Sequence, residues 1–133
     1  MIINLDRLDH LVLTVTDIQR TCDFYVSVLG CQVIRFKSRD GTTRFALKMG
    51  AQKINLHSAD GPFLPAAKVP QPGSADLCFI TSTPLDTVIA HFDAMKVPII
   101  EGPVRRTGTL GPILSVYIRD PDGNLIEIAN NRQ

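Results

Sequence analysis

Four side chains that can bind metal ions occur in strand-like segments of this 133-residue chain. His10 lies in LDHLVLTV and Asp76 in ADLCFIT, whereas His57 ends KINLH and Glu127 lies in NLIEIAN. Two imidazoles and two carboxylates form the mixed nitrogen and oxygen set that suits Ni, Co, Zn, Mn or Fe. The sequence therefore predicts a site for one divalent metal ion. A purely thiolate site is excluded, because the three cysteines contain no CxxC pair.

The four candidates are predicted to share the non-core face of their strands. Side chains alternate between the two faces of a strand, and the neighbouring positions are apolar. Those positions are Leu11 and Leu13, Ile54 and Leu56, Leu77 and Phe79, and Ile126 and Ile128. A single histidine in an apolar strand is more often a core residue than a ligand. The common face of all four nevertheless favours a site, and Asp76 is the weakest member because a cap at a strand entrance would explain it.

Three further residues are candidates for substrate binding. Arg105 and Arg106 are predicted to lie in a loop, where planar guanidinium groups can bind a carboxylate or phosphate, although a solvated loop explains them equally well. Tyr117 shares a strand face with Ser115 and is predicted to line the same cavity. Cys22 and Cys31 are interpreted as packing residues. Packing is also favoured for Cys78, but Cys78 shares a strand face with Asp76, so a place in the cavity wall stays open for it.

The elements that position these residues form a repeated βαβββ pattern. In the first copy, Asp17 is a predicted helix N-cap and Gly30 a predicted helix end, before strands CQVIRF, TTRFALKM and KINLH. The second copy has Pro84 at a helix start, the helix LDTVIAHFDAM, and strands VPIIEG, ILSVYIRD and NLIEIAN. His10 aligns with Asp76 at an offset of 76 − 10 = 66, and His57 with Glu127 at 127 − 57 = 70. We therefore expect one domain, residues 1–133, with modules at about 6–60 and 75–130 joined by the connector 61–74.

The composition of the chain argues against nucleic acids and membranes as binding partners. With 14 Lys and Arg against 13 Asp and Glu, the net charge is +1, too small to favour nucleic acid or an anionic membrane surface. The apolar runs are far shorter than the roughly 20 residues of a membrane span. Charges interrupt the N-terminal segment where a signal peptide needs an apolar core, so a cytoplasmic location is expected.

Two motifs resemble those of the vicinal oxygen chelate superfamily. The tail YIRDPDGNLIEI is similar to its closing motif, and LDHLVLTVTDIQRTCDFYVSVLGCQVI to its opening motif, with Phe24-Tyr25 followed by Leu29-Gly30. The superfamily includes glyoxalase I, extradiol dioxygenases, fosfomycin-resistance enzymes and bleomycin-binding proteins. Within it, the chain is most similar to the group of glyoxalase-domain-containing protein 5 and its virulence-associated bacterial relatives.

The resemblance implies an α+β fold in which two tandem βαβββ modules form a curved eight-stranded half-barrel around one metal cavity, often within a homodimer. It implies that His10, His57 and Glu127 are metal ligands and that Glu127 is the general base. Asp76 stands where glyoxalases and extradiol dioxygenases usually have His. Thr14 replaces the arginine with which glyoxalase I holds glutathione, so the use of glutathione is in doubt.

The function expected from these features is that of a metal-dependent glyoxalase-like lyase or isomerase. It would transfer a proton on a small α-hydroxy or α-keto carbonyl substrate, which Arg105 and Arg106 suggest is anionic. Two alternatives stay open: a single-domain extradiol-type Fe(II) dioxygenase, and a metal-free protein that binds a small molecule such as an antibiotic.

Overall fold

A computed structural model describes residues 2–61 and 63–132 of the chain. The backbone divides into two compact units, the first ending at Pro72 and the second beginning at Gly73. This boundary lies inside the connector that the sequence predicts. None of the helices formed by the described residues combines the length and the apolarity that crossing a membrane requires.

The first unit contains one helix and a four-stranded mixed sheet. Its elements are β1 (His10–Val15), α1 (Ile18–Ser27), β2 (Gln32–Lys37), β3 (Thr43–Met49) and β4 (Gln52–Ser58). The strand order is β1-β4-β3-β2, with β1 parallel to β4 and the other pairs antiparallel. A parallel pair needs a long crossover, and α1 with the following hairpin provides it.

Local sequence explains where α1 begins and what it buries. Asp17 is the N-cap, and its side chain accepts a hydrogen bond from the Arg20 backbone N–H at 3.0 Å, as predicted. Tyr25 is completely buried, as are Leu47 on β3 and Val15 on β1. This apolar side of the sheet forms the core of the first unit, so the opposite side is left for polar residues.

The second unit repeats this order. Its elements are β5 (Asp76–Ile80), α2 (Leu85–Ala94), β6 (Glu101–Gly108), β7 (Gly111–Arg119) and β8 (Leu125–Asn131). The strand order is β5-β8-β7-β6, and β5 is parallel to β8. Val116, Ile118 and Ile126 are completely buried in the sheet. The predicted α+β class with two βαβββ modules is confirmed.

Side chains of the closing segment fix the start of α2 and the turn before β8. Pro84 is the N-cap of α2, but its side chain forms no capping hydrogen bond. Asn130 of β8 takes over this role, because its Oδ1 accepts a hydrogen bond from the Leu85 backbone N–H at 2.8 Å. In the DPDGN turn, buried Asp120 accepts hydrogen bonds from the Asn124 backbone N–H at 3.0 Å and from its side-chain amide at 2.9 Å. The motif that closes the sequence is therefore first of all a structural turn.

The prediction for β6 was wrong. The sequence predicted a strand at 97–102 and a loop at 103–112, but the strand is Glu101–Gly108 and a tight turn at Thr109 and Leu110 leads into β7. Gly102 and Pro103 look like a strand end in the sequence. The pairing with β7 tolerates them, because the register is irregular between Glu101 and Val104.

Candidate functional site

The polar face of the second sheet is centred on Glu127. In the strand register, Glu127 of β8 lies opposite Cys78 of β5 on one side and Tyr117 of β7 on the other. Ser115, two residues before Tyr117 on the same face, donates its hydroxyl hydrogen to Glu127 Oε2 at 2.5 Å. Ser115 is completely buried, so this bond holds one carboxylate oxygen in place, and Cys78 also forms a hydrogen bond with the carboxylate.

A fixed cation lies beside this carboxylate. Arg106 Nη2 donates to Glu101 Oε2 at 2.6 Å, and Arg106 Nε donates to the Tyr117 hydroxyl at 2.9 Å. The hydrogen bond with Tyr117 raises the pKa of Arg106 above its ordinary value, and burial raises the pKa of Tyr117. Arg106 is therefore a permanent, oriented donor for an anion.

A cavity of about 670 Å³ opens over this face. Glu127, Cys78 and Arg106 line it, together with the turn between β6 and β7. This volume is within the range of small-molecule sites. The cavity belongs entirely to the second unit.

The two arginines point to opposite sides of the sheet. Arg106 lies opposite Ile113, on the side of Ser115 and Tyr117, whereas Arg105 lies opposite Leu114, on the other side. Both belong to strand β6 and not to the loop that the sequence predicted. Arg106 thus lines the cavity and donates a hydrogen bond to Tyr117. Neither Arg105 nor Tyr117 is among the described residues that line the cavity, so the prediction that Tyr117 lines it was wrong.

Cys78 is exposed and lines the cavity, so the alternative left open for it is correct and the favoured interpretation as a packing residue was wrong. Cys22 and Cys31 are buried as predicted. Partial burial, reinforced by the charge of Glu127 and a hydrogen bond with it, raises the pKa of the Cys78 thiol to about 11. Cys78 is therefore a neutral thiol at physiological pH and a poor nucleophile.

Asp76 is the exposed first residue of β5. It lies opposite Leu125, two residues before Glu127 on the neighbouring strand. The two carboxylates share a face and are offset by roughly 7 Å along the strands. The second unit thus presents two of the four predicted metal-binding residues on one face.

The first unit presents the two histidines. His10 begins β1, and its Nδ1 lies 2.8 Å from Asp9 Oδ2. This contact leaves Nε2 as the free nitrogen and, as a hydrogen bond to the carboxylate, lowers the pKa of Asp9. His10 lies opposite Lys53, and His57 opposite Thr14, so the histidines are offset by four residues, roughly 13 Å along the strands.

His57 has a different environment from that of His10. Its ring meets the ring of Phe63 edge to face, with 5.5 Å between centroids. Burial, and then the charge of Arg44, lower the pKa of His57 from its ordinary value of 6.5, so the ring is neutral at pH 7. A neutral imidazole can bind a metal ion, and it can also line a pocket beside a bound anion.

Strand register also corrects the repeat. Val12 and Cys78 are equivalent, because each lies two residues after the first residue of its strand, β1 or β5. Val12 pairs with Asn55 of β4, and Cys78 pairs with Glu127 of β8. Asn55, and not His57, therefore occupies the position of Glu127, at an offset of 127 − 55 = 72. The sequence comparison missed Asn55 because only the pairing of the first and last strands fixes this register.

The four predicted metal-binding residues do not meet the requirements of an ion within either unit. A metal ion needs donor atoms about 2 Å away, and structural sites use four of them. Within the described ranges 2–61 and 63–132, no three His, Cys, Asp or Glu side chains come together in a group that could hold an ion. The donor types suit a metal, but their arrangement in either unit alone does not form a site.

The fold and the polar face define a class of protein: a small α+β protein of two βαβββ modules, with a carboxylate and a cation at a cavity of the second module. Residues 7–128 match the model of the Glyoxalase/Bleomycin resistance protein/Dioxygenase superfamily, and the chain belongs to this family. The resemblance inferred from the two motifs is confirmed.

Two relatives are similar to most of this chain. The chain is 57% identical over 125 residues to "Virulence protein STM3117" of Salmonella typhimurium, covering 94% of this chain and 84% of that protein. It is 50% identical over 123 residues to "Glyoxalase domain-containing protein RDO1" of Mycosarcoma maydis, covering 92% of this chain and 67% of that protein.

Solved structures agree with the fold. The crystal structure of the Salmonella protein superposes with a TM-score of 0.92 at 55% identity, over 98% of this chain and all of that one. A lactoylglutathione lyase from Agrobacterium tumefaciens superposes with a TM-score of 0.71 at 23% identity, over 96% of this chain and 95% of that one, and it shows similarity of fold alone.

Proposed function

We propose that this protein is a glyoxalase-type lyase or isomerase that moves a proton on a small anionic α-hydroxy or α-keto carbonyl compound. One observation carries the proposal: a carboxylate, Glu127, is fixed by the buried hydroxyl of Ser115 at a cavity that also contains the oriented cation Arg106. A base and an anion-binding group on one cavity are the minimum for deprotonation next to a carbonyl.

The roles follow from the contacts. Arg106 binds the anionic group of the substrate and thereby orients it, while Glu101 and Tyr117 keep the guanidinium in place. The carboxylate of Glu127 takes the proton from the carbon next to the carbonyl, and the resulting acid returns it to the adjacent carbon of the enediolate. Ser115 holds Oε2, so the carboxylate does not reorient between the two transfers.

A divalent metal ion is part of the proposal, since members of this superfamily commonly use one. His10, His57, Asp76 and Glu127 are the residues proposed to bind it, and a bound ion would act as a Lewis acid on the substrate oxygens. The register of the first unit separates the two histidines, so no step above depends on the ion. The proposal also includes a homodimer in the cytoplasm, which light scattering and cell fractionation would test.

The test is exchange of substrate hydrogen in D₂O, followed by proton NMR on a panel of α-hydroxy and α-keto acids. The protein is purified without chelator or nickel affinity resin, and its metal content is measured by plasma mass spectrometry. The expected result is exchange that Glu127→Gln abolishes and that Asp93→Asn, which changes an exposed carboxylate of α2, leaves intact. Exchange that survives Glu127→Gln would contradict the role of Glu127.

The same experiment separates the proposal from its two alternatives. Oxygen consumption with catechols after loading with Fe(II), without hydrogen exchange, would support an extradiol-type dioxygenase. Ligand binding without exchange or oxygen consumption, in protein that takes up no metal, would support a binding protein.

A further inference from the structure

Two buried polar atoms of the first unit lack hydrogen-bond partners. Within residues 2–61 and 63–132, the buried side-chain atoms without one are Arg44 Nε and Asn55 Oδ1. Nearly all buried polar atoms in folded proteins are hydrogen-bonded, so an orphan of this kind requires an explanation, and a ligand is one. Of these two atoms, Arg44 Nε is a hydrogen-bond donor and Asn55 Oδ1 is an acceptor.

The two atoms belong to neighbouring strands and to one face of the sheet. Asn55 of β4 lies opposite Ala46 of β3, and Arg44 is two residues from Ala46 along β3. Arg44 and Asn55 are therefore diagonal neighbours on the same side, roughly 7 Å apart at the backbone. Two polar side chains at this separation on one face are close enough to contact the same small molecule. The opposite side of this sheet carries the core, so the pair faces away from it.

The charge of Arg44 is also not neutralised by a direct ion pair. Among the described residues, the ion pairs within 4.0 Å are His10 with Asp9 and Arg106 with Glu101. Arg44 instead contacts the ring of Phe63, and the same ring meets the ring of His57. An aromatic wall excludes water beside a guanidinium and strengthens its attraction for an anion.

We infer that Arg44 and Asn55 form a binding site for a small α-hydroxy carboxylate. Arg44 donates from Nε to a carboxylate oxygen, and Asn55 Oδ1 accepts the hydrogen of the hydroxyl on the adjacent carbon. Each orphan thereby gains the one partner that it lacks. The inference concerns binding to the first sheet and does not depend on proton transfer by Glu127, so the two can fail separately.

The test is a titration of the ¹⁵N-labelled protein with three probes, followed by NMR shifts of the β3 and β4 amides. Glycolate has both groups, acetate lacks the hydroxyl, and glycolamide lacks the charge. Ligands this small bind with dissociation constants on the order of 1–10 mM. We expect glycolate to bind about tenfold more tightly than acetate, and glycolamide to bind at least tenfold more weakly than glycolate.

Variants assign these differences to the two residues. Arg44→Met should abolish the shifts of the β3 and β4 amides with glycolate and with acetate alike. Asn55→Leu should reduce the affinity for glycolate to that for acetate and leave acetate unchanged. Arg35→Met is the matched control: Arg35 lies opposite Phe45 while Arg44 lies opposite Phe36, so Arg35 is on the other side of the same sheet. It should change neither affinity.

Several results would overturn the inference. Equal affinities of the unmodified protein for glycolate and acetate would exclude a role for Asn55. Undiminished binding to Arg44→Met, or shifts confined to other segments, would exclude the site. The comparison of the three probes on the unmodified protein decides the question even if a variant does not fold.

Discussion

The thiol of Cys78 reports on the charge of Glu127 and so gives a direct test of the site. Burial, the carboxylate of Glu127 and, to a smaller extent, that of Asp76 raise the pKa of Cys78 from 9.0 to about 11. At pH 9 this leaves about 1% of the thiol ionised, against about half for an ordinary cysteine, and only the thiolate reacts with an alkylating agent. Alkylation at pH 9 should therefore be about fifty times slower than for an exposed thiol of the same intrinsic nucleophilicity.

Glu127→Gln removes the charge that acts on this thiol. The pKa of Cys78 should fall but stay above 9.0, because burial is its largest cause and remains. If the pKa of Cys78 falls by about one unit, the thiolate fraction at pH 9 rises by about tenfold, and the alkylation rate rises by the same factor. Asp76→Asn should produce a smaller increase, since the charge of Asp76 is the weakest cause.

The assay is reaction with iodoacetamide between pH 7 and 11, with labelled peptides quantified by mass spectrometry. Cys22 and Cys31 are buried and act as internal controls that react only on unfolding. A rate profile of the unmodified protein with its midpoint near pH 9 would refute the reasoning. So would an unchanged rate in Glu127→Gln, because the carboxylate would then not lie beside the thiol.

Three further predictions concern stability. Asn130→Ala removes the side chain that caps α2, and chemical denaturation should show a loss of about 2 kcal/mol in the free energy of unfolding. Gly102→Ala should destabilise by more than about 1 kcal/mol and lower the melting temperature, because φ at Gly102 is +109° and a Cβ would collide with the backbone oxygen of Ser115. Burial and Arg44 lower the pKa of His57 in the folded state, so its contribution to stability is present above pH 6.5 and is lost as the pH falls through the folded pKa. His57→Gln should therefore flatten the dependence of stability on pH below 6.5, and an unchanged slope would contradict the assigned environment.

Much of the fold follows from local sequence. Asp17 begins α1 as predicted, because its carboxylate satisfies a backbone N–H of the first turn, an interaction within four consecutive residues. The alternation of apolar residues gave the core faces correctly, for example Ile54 and Leu56 on β4, because strand geometry alone sets that alternation. Family membership follows likewise from two short motifs.

Long-range pairing explains what the sequence did not reveal. The sequence predicted β6 too early in the chain, because Gly102 and Pro103 resemble a strand end. In the structure, pairing with β7 continues the strand through these two residues. Arg105 and Arg106 appeared equivalent as neighbours in a loop. In a strand, neighbours point to opposite sides, so only Arg106 reaches the cavity with Glu127.

The sequence by itself determined the element order, the core faces, the family and the chemical types of the candidate residues, because these depend on local periodicity and short motifs. Only the tertiary structure decided which residues face one another across strands. The pairing of β1 with β4 brings Asn55, and not His57, into the position that Glu127 occupies in β8. It also decided that Ser115 holds Glu127, because a hydrogen bond between side chains twelve residues apart depends on register, which no local pattern specifies.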